Sequence, residues 1–309
     1  MHNISPDHVL WRIAESLPPE DRESVIVVGS LAAGFHFFGG SPERQLRTKD
    51  ADCMIATEKA VVVATNITEH LFADNWQLRT DGDFGKPGTA ETPDNELPVV
   101  RLFPPRESEW FLELLSCPSD GTITKGRELK RLITSQGHFA LCSFGYFALL
   151  EFEPIDTQHG IRLASPEMMA LCNLLHHPRI SDTKMSEPVS GRSIKRANKD
   201  LGRVVALAYL TTERDPDALL DWPEKWRRAL LEKFPSEATE LMMRAGDGLR
   251  ALCYSESDLD EALHTIQVGL LASKKIELQA FRLTTERIMG DVIEQIEKLA
   301  SAPPPKPQD

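Results

Sequence analysis

The chain has 309 residues, and its 47 acidic side chains outnumber its 35 basic ones, which gives a formal net charge of −12. This balance excludes a surface that binds nucleic acid throughout, so any such contact requires a local basic patch.

The five cysteines are scattered without C-x-x-C spacing, which argues against a disulfide framework or a zinc site and favours a reducing cytoplasm. The N-terminal residues lack the pattern of a secretion signal. The longest apolar stretch, residues 139–152, is shorter than the roughly 20 residues of a bilayer span. We therefore expect buried core there and no membrane contact.

The first half of the chain alternates between helical and strand patterns. Apolar residues at helical spacing predict helices, β-branched runs predict strands, and a stretch rich in Gly, Pro, Asp and Thr predicts a long loop or flap. The predicted elements are a helix at 6–16, a strand at 24–28, a helix at 31–38, a strand at 50–56, a helix at 59–72, the loop at 80–98 and strands at 99–103 and 110–116. This order predicts a mixed α/β (α+β) sheet domain over residues 1–160.

The second half is helical in pattern. Ser165-Pro166-Glu167 resembles a helix start with Ser as N-cap and Pro at N1. Apolar residues at three- and four-residue spacing then predict helices at 168–176, 199–210, 222–233, 236–252, 257–271 and 277–299. We expect an all-helical domain at 161–300, followed by a disordered, Pro-rich tail at 301–309.

The predicted strand at 24–28 ends in Gly29-Ser30, directly before a helix. The N–H groups of a helix start, its dipole and the Ser30 hydroxyl would all favour a phosphate there, and glycine permits close backbone approach. An ordinary turn is the alternative interpretation. The phosphate-binding interpretation depends on the acidic residues that follow.

Asp50 and Asp52 stand two apart on the next predicted strand, so their side chains face the same side. Together they can bind one divalent cation, and Mg²⁺ prefers such oxygen ligands. Three other D-x-D pairs lie in a turn-rich loop or at predicted helix starts, where acids have ordinary roles: Asp81/Asp83, Asp215/Asp217 and Asp258/Asp260. Only the first pair follows a strand–turn–helix unit.

A third carboxylate is the usual requirement for holding the two metal ions of phosphoryl transfer. Glu113 is our candidate because it is the lone charge in an apolar strand, where an ionised group is costly unless a cation or donor balances it. Glu107 and Glu109 are competing candidates, and the alternatives for Glu113 itself are an exposed residue of an edge strand or a buried structural ion pair.

In combination these motifs resemble the nucleotidyltransferase-fold proteins, and among them the AbiEii-like group of bacterial type IV toxins and related tRNA-modifying toxins. VVGSLAAGFHFFGG followed by RTKDADCMI is similar to the family's G-[GS] and R-x-[ST]-x-D-x-D motifs, and FLELLS resembles its third carboxylate motif. ASPEMMALCNLLHH and RANKDLGRVVAL resemble the helical motifs of the C-terminal domain. The departures from the family pattern are Asn173 for a lysine, Gly202-Arg203 for a second acid, Glu113 for an aspartate and a longer spacing from Ser30 to Asp50.

The resemblance implies a cytoplasmic, Mg²⁺-dependent enzyme that transfers a nucleotide from an NTP, such as ATP, to an acceptor hydroxyl on RNA, tRNA or protein. Asp50, Asp52 and Glu113 would form the catalytic, metal-binding set, with two Mg²⁺ ions. The implied nucleotide-binding residues are Gly29, Ser30, Arg47, Lys49, Lys199 and Asp200, with the last two reaching from the helical domain into a cleft between the domains.

Two alternatives stay open. The chain is either an active transferase or a catalytically degenerate relative that binds a nucleotide or a partner protein. By family resemblance it is also a candidate toxin held in check by a cognate antitoxin. The basic stretch at 179–203 is either a polyanion-binding surface or a solvated face.

Overall fold

The computed structural model describes residues 3–39, 46–80, 85–117, 127–180 and 182–301. The tail after Ser301 and the pair Asp81/Asp83 lie outside these residues. The chain divides into two compact units, Met1–Ser165 and Pro166–Asp309. The sequence predicts a boundary at residue 160, whereas the first unit of the structure continues to Ser165 because its last strand pairs with the sheet.

The first unit is a mixed sheet with helices. Its strands are β1 (Asn3–Ile4), β2 (Val25–Val28), β3 (Leu46–Arg47), β4 (Asp50–Ile55), β5 (Gln77–Leu78), β6 (Arg101–Phe103), β7 (Phe111–Ser116), β8 (Arg127–Thr134), β9 (Gly137–Phe144), β10 (Ile155–Asp156) and β11 (Arg162–Leu163). Over the described residues, nine strands form one sheet in the order β10-β11-β2-β4-β7-β6-β5, with β9 beside β7 and β8 beside β9. The remaining strands, β1 and β3, pair with each other.

The centre of this sheet is β2, β4 and β7. The β-branched run of β2 is buried along its full length, as such side chains favour a pleated, enclosed strand. β2 runs antiparallel to β4, and β4 runs parallel to β7. The helices of this unit are α1 (Pro6–Ser16), α2 (Pro19–Arg22), α3 (Gly29–Phe38) and α4 (Ala60–Ala73), with short 3-10 helices at Asp94–Glu96 and Gly145–Glu151. α3 packs against β2 and β4, and its buried face of Leu31, Ala32 and Phe37 closes the core there.

The described part of the predicted loop at 80–98 is not a free flap. Gly88 and His138 exchange backbone hydrogen bonds of 2.9 Å in each direction. Arg131 on β8 donates to the Asp94 carboxylate at 2.7 Å and to the Thr89 carbonyl oxygen at 3.2 Å. Residues 85–98 are therefore fastened to the β8–β9 hairpin.

The second unit is helical. Its helices are α5 (Pro166–Ile180), α6 (Arg196–Arg214), α7 (Trp222–Lys233), α8 (Ala238–Arg244), α9 (Asp247–Tyr254), α10 (Glu256–Gln267), α11 (Leu278–Ile288) and α12 (Glu294–Ser301). A 3-10 helix at Ala218–Asp221 and a π-helical turn at Met289–Ile293 complete them.

Two predicted helices of this unit are interrupted. The helix expected at 236–252 ends at Arg244 and restarts at Asp247. Gly246 lies at the break, where an added Cβ would meet Ile293 Cγ2 at 2.3 Å. The helix expected at 277–299 contains the π-helical turn. Within the described residues, no helix is both long enough and apolar enough to span a bilayer.

Candidate active site

The turn from β2 to α3 requires glycine at position 29. Gly29 has φ +71°, a left-handed backbone that side-chain-bearing residues rarely adopt. A Cβ added to Gly29 would lie 2.9 Å from Asp52 Oδ2. The Asp52 carboxylate therefore sits against the first residue of α3. Ser30, the next residue, is partly exposed at the same helix start.

Asp50 and Asp52 lie on β4, as predicted, and both are partly exposed while Ala51 and Cys53 between and after them are buried. The alternation gives the two carboxylates the same face of the strand. Thr48 fixes one of them, because its buried hydroxyl donates to Asp50 Oδ1 at 2.6 Å. A residue just before β4 therefore fixes the orientation of the first of the two carboxylates.

Four neighbouring strands place a single row of residues next to Asp52. Asp52 pairs in register with Val28 of β2 on one side and with Glu113 of β7 on the other. Glu113 in turn pairs with Arg101 of β6. Residues in one row of a sheet project to the same face, so Asp52, Glu113 and Arg101 are side-by-side neighbours.

Glu113 is engaged by Arg101. The Arg101 Nε donates to Glu113 Oε2 at 2.5 Å, and only 19% and 16% of the two side chains are exposed. Burial raises the pKa of the Glu113 carboxyl above its ordinary value, and the nearby charge of Asp50 raises it further. Arg101 and Arg79 oppose this shift without cancelling it. Glu113 therefore carries a net electrostatic cost in this position.

The two competing carboxylates lie in the segment before β7 and not on the strand beside Asp52. Glu107 accepts a hydrogen bond from the Trp110 indole at 2.8 Å and lies 3.4 Å from His8 Nε2. Glu109 is exposed and accepts from the backbone N–H of Ser108 at 3.1 Å. In this structure, Glu113 is the one of the three that faces Asp52.

Arg79 and Arg101 are neighbours of the acidic face that sequence reasoning missed. The Arg79 guanidinium carbon lies 4.4 Å from the centroid of the Phe111 ring, and that of Arg101 lies 5.9 Å from it. Phe111 pairs in register with Asp50. Arg101 was detectable as the lone charge in VVRLF, but its partner depends on the β6–β7 register. Nothing in the sequence around Arg79 distinguishes it.

Arg47 and Lys49 flank the acidic pair in sequence but differ in setting. Arg47 is exposed on β3, where it pairs in register with Asn3. Lys49 is partly exposed, and its carbonyl oxygen accepts the Phe111 N–H at 2.9 Å. This bond fixes the start of β4 against β7. A role for either side chain in nucleotide binding remains a prediction.

Lys199 and Asp200 belong to α6 of the helical unit. Lys199 is partly exposed, whereas Asp200 is buried with its Oδ2 atom 3.6 Å from His176 Nδ1. Their proposed contribution to the nucleotide remains a prediction. One departure from the family pattern has a packing cause: a Cβ on Gly202 would lie 2.6 Å from the Ala262 carbonyl oxygen of α10. An acid cannot fit at that helix contact.

The basic stretch at 179–203 is partly neutralised by acids of α10. Arg192 pairs with Asp260 at 2.6 Å, and Lys195 pairs with Asp258 at 3.0 Å. Asn198 donates to both Asp258 and Glu261. These contacts fasten the segment before α6 to α10 and favour a structural role for Arg192 and Lys195.

Asp50 and Asp52 suit a Mg²⁺ ion, which proteins commonly hold through one or two carboxylates while substrate phosphates and water complete its shell. Thr48 already orients the Asp50 carboxylate, and the Asp52 carboxylate lies close beside Gly29. Glu113, the predicted third ligand, lies beside Asp52 in the sheet, and its carboxylate is paired with Arg101. Among the residues that the structure describes, no three Asp, Glu, His or Cys side chains group closely enough to hold a metal ion. A metal-binding role for Asp50, Asp52 and Glu113 together remains a prediction.

Comparisons of the chain with protein-family models, with curated proteins and with solved structures found no match.

Proposed function

We propose that the first unit is a Mg²⁺-dependent nucleotidyltransferase with a nucleotidyltransferase-like sheet, which transfers a nucleotide from an NTP to an acceptor hydroxyl on RNA, tRNA or protein. The observation that carries the proposal is the contact between the Asp52 carboxylate and Gly29 at the start of α3. It brings a cation ligand to a helix start, where backbone N–H groups and the helix dipole favour a phosphate. A cation and a triphosphate could then meet at one point.

In the proposed reaction the acceptor oxygen forms a bond to the α-phosphorus, the bond to pyrophosphate breaks, and the acceptor proton passes to a carboxylate. Mg²⁺ would supply charge neutralisation of the phosphates. Gly29 and Ser30 would hold the triphosphate through the backbone and the Ser30 hydroxyl. Asp50 and Asp52 would bind the cation, with Glu113 joining them once it leaves Arg101.

The test incubates the purified protein with each of the four NTPs, labelled at the α-phosphate, together with Mg²⁺ and total cellular RNA or protein. The variant is Asp50→Ala/Asp52→Ala. The matched control is Asp215→Ala/Asp217→Ala, which removes a D-x-D pair from an exposed loop of the helical unit. We expect label transfer by the wild type and the control, and a loss of at least about 100-fold in the variant, as for other groups that stabilise transition-state charge. Equal transfer by the variant would reject the site.

A second candidate is a nucleotide-binding module without turnover. The Arg101–Glu113 ion pair favours it, since a carboxylate held by arginine is not available to a cation. Both candidates bind an NTP, but only the transferase releases Mg²⁺-dependent pyrophosphate. Binding of labelled NTP without pyrophosphate release in the presence of every acceptor class would establish the module.

We also propose, from the family resemblance alone, that the activity is toxic and is restrained by a partner antitoxin. Expression of the wild type should arrest bacterial growth, whereas expression of Asp50→Ala/Asp52→Ala should not. Arrest by both proteins would separate toxicity from nucleotide transfer.

A further inference from the structure

Two arginines border the acidic face of the sheet. Arg101 lies directly across from Glu113, and the Arg79 N–H donates to the Arg101 carbonyl oxygen at 2.9 Å. Both guanidinium groups lie near the Phe111 ring, and Phe111 is the register partner of Asp50. Two cations and the carboxylates of Asp50 and Glu113 therefore share one side of four adjacent strands.

The Arg101–Glu113 pair is a poor structural device. Both charges are largely withdrawn from water, and a mostly buried ion pair rarely stabilises a fold more than apolar side chains of the same volume would. The neighbouring row, Leu102 opposite Leu112, already joins β6 to β7 with fully buried apolar side chains. A costly pair beside two more acids is typical of a site that binds charged ligands.

The guanidinium group suits a phosphate at least as well as a carboxylate. Its planar set of N–H donors matches two oxygens of either anion, and such charge-assisted bonds are among the strongest hydrogen bonds in proteins. The row that carries Arg101 also carries Asp52, whose carboxylate touches Gly29 at the start of α3. Phosphates held at that helix start would lie on the same row as Arg101.

We propose that Arg101, with Arg79 beside it, is a binding residue for the phosphates of the nucleotide, and that Glu113 holds Arg101 until the ligands arrive. Arg101 then exchanges Glu113 for phosphate oxygens, and Glu113 joins Asp50 and Asp52 at the cation. This inference rests on the proposed function of the Asp50–Asp52 site. It adds Arg101 and Arg79 to the nucleotide-binding residues. It also assigns one member of the ion pair to each ligand, with Arg101 binding the phosphates and Glu113 binding the cation.

The exchange predicts reciprocal effects of two single substitutions. Arg101→Gln should weaken binding of inorganic triphosphate by about tenfold or more, the loss expected for a charge-assisted contact. The same variant should bind Mn²⁺ more tightly than the wild type, because Glu113 is released. Glu113→Gln should do the opposite, with tighter triphosphate binding and weaker Mn²⁺ binding. A merely structural pair would lower both affinities together in either variant.

Triphosphate binding is measured by calorimetry in chelator, and Mn²⁺ binding by electron paramagnetic resonance of the free ion. Thermal unfolding verifies that each variant is folded. Arg12→Gln is the matched control, since Arg12 is as little exposed as Arg101 but pairs with Glu15 one helical turn away in α1, and its loss should change neither affinity. The double variant Arg101→Gln/Glu113→Gln tests whether the gain in Mn²⁺ affinity comes from the release of Glu113. When Glu113 is already replaced, Arg101→Gln should no longer raise the affinity for Mn²⁺.

Unchanged triphosphate affinity in Arg101→Gln overturns the inference. So does a gain of Mn²⁺ affinity from Arg101→Gln that is as large in the Glu113→Gln background as in the wild type. Absence of both Mn²⁺ and triphosphate binding in the wild type overturns it too. Nucleotide transfer is measured separately. Transfer without the reciprocal pattern rejects the inference and leaves the enzyme, whereas the reciprocal pattern without transfer rejects the enzyme and leaves Arg101 as a phosphate-binding residue.

Discussion

Each unit of the molecule contains a carboxylate–cation pair, and the two pairs have opposite electrostatic character. In the sheet unit, burial raises the pKa of Glu113 despite the opposing charge of Arg101. In the helical unit, burial also acts to raise the pKa of Asp258, but hydrogen bonds from Asn198, Lys195 and Ser255 outweigh it and the pKa is lowered. Only the second carboxylate is better accommodated as an anion by the fold than by water.

The difference separates a structural pair from a functional candidate. The Asp258 cluster fastens the segment before α6 to α10, and its ionised form stabilises the fold. Glu113 lies in a row with Asp52, where its ionised form is disfavoured by the surroundings. Unfavourable placement of this kind is concentrated at sites that bind or react.

The largest expected effect comes from Gly29→Ala. A left-handed backbone costs a side-chain-bearing residue about 1–2 kcal/mol, and the new methyl group would also press on Asp52 Oδ2 at 2.9 Å. We expect a lower free energy of unfolding, measured by urea denaturation, together with loss of nucleotide transfer and of Mn²⁺ binding.

Gly160→Ala is the matched control for this substitution. Gly160 has φ +72°, almost the same as Gly29, but an added Cβ would meet nothing within 4 Å. Gly160→Ala should therefore show the backbone cost alone and keep its Mn²⁺ affinity. If both variants bound Mn²⁺ like the wild type, the contact between Gly29 and Asp52 would have no bearing on the site.

An intermediate effect is expected from Glu113→Gln on the pH dependence of stability. At pH below the ordinary pKa of Glu113, the wild type is protonated in both the folded and the unfolded chain. As pH rises toward the raised pKa, the unfolded chain releases this proton first, so the wild type loses stability. The free energy of unfolding of Glu113→Gln relative to the wild type should rise through this window and level off above it. Urea denaturation in chelator at a series of pH values measures the trend.

Asp258→Asn should show the opposite dependence of stability on pH. The folded-state pKa of Asp258 is lowered. The wild type should therefore have its full excess of unfolding free energy over this variant at pH above the ordinary pKa of Asp258, and should lose that excess as pH falls through the lowered pKa. Trends of the same sign in Glu113→Gln and Asp258→Asn would contradict the distinction between the two pairs.

The smallest expected effect comes from Thr48→Val, which removes the hydroxyl that donates to Asp50 Oδ1. A single such bond contributes about 1 kcal/mol. We expect a modest loss of stability and weaker Mn²⁺ binding, with both restored in Thr48→Ser. Asn198→Ala, which removes a donor to Asp258, should lower stability without changing Mn²⁺ affinity. A change in Mn²⁺ affinity by Asn198→Ala alone would move the cation site to the helical unit.

The sequence was sufficient for local features of the site. A buried strand ending in Gly29-Ser30 and the two-residue spacing of Asp50 and Asp52 are properties of short segments, and the structure contains the corresponding strand, helix and common face. The mixed α/β unit followed by a helical region was likewise predicted from periodicity and is confirmed.

Features that depend on how one strand pairs with another were not predictable in this way. The charged segment RELKRLIT has no strand pattern of its own and forms β8 by pairing with β9. The ion pair of Arg101 with Glu113 likewise arises from the β6–β7 register. That register is why a carboxylate predicted as a metal ligand is bound by an arginine.

The most direct test of the site is a crystal structure of the protein with Mn²⁺ and a non-hydrolysable NTP, in which the anomalous signal locates the metal. We expect Mn²⁺ bound by Asp50 and Asp52, with the triphosphate at Gly29 and Ser30. A nucleotide bound elsewhere, with no Mn²⁺ at Asp50 or Asp52, would contradict it.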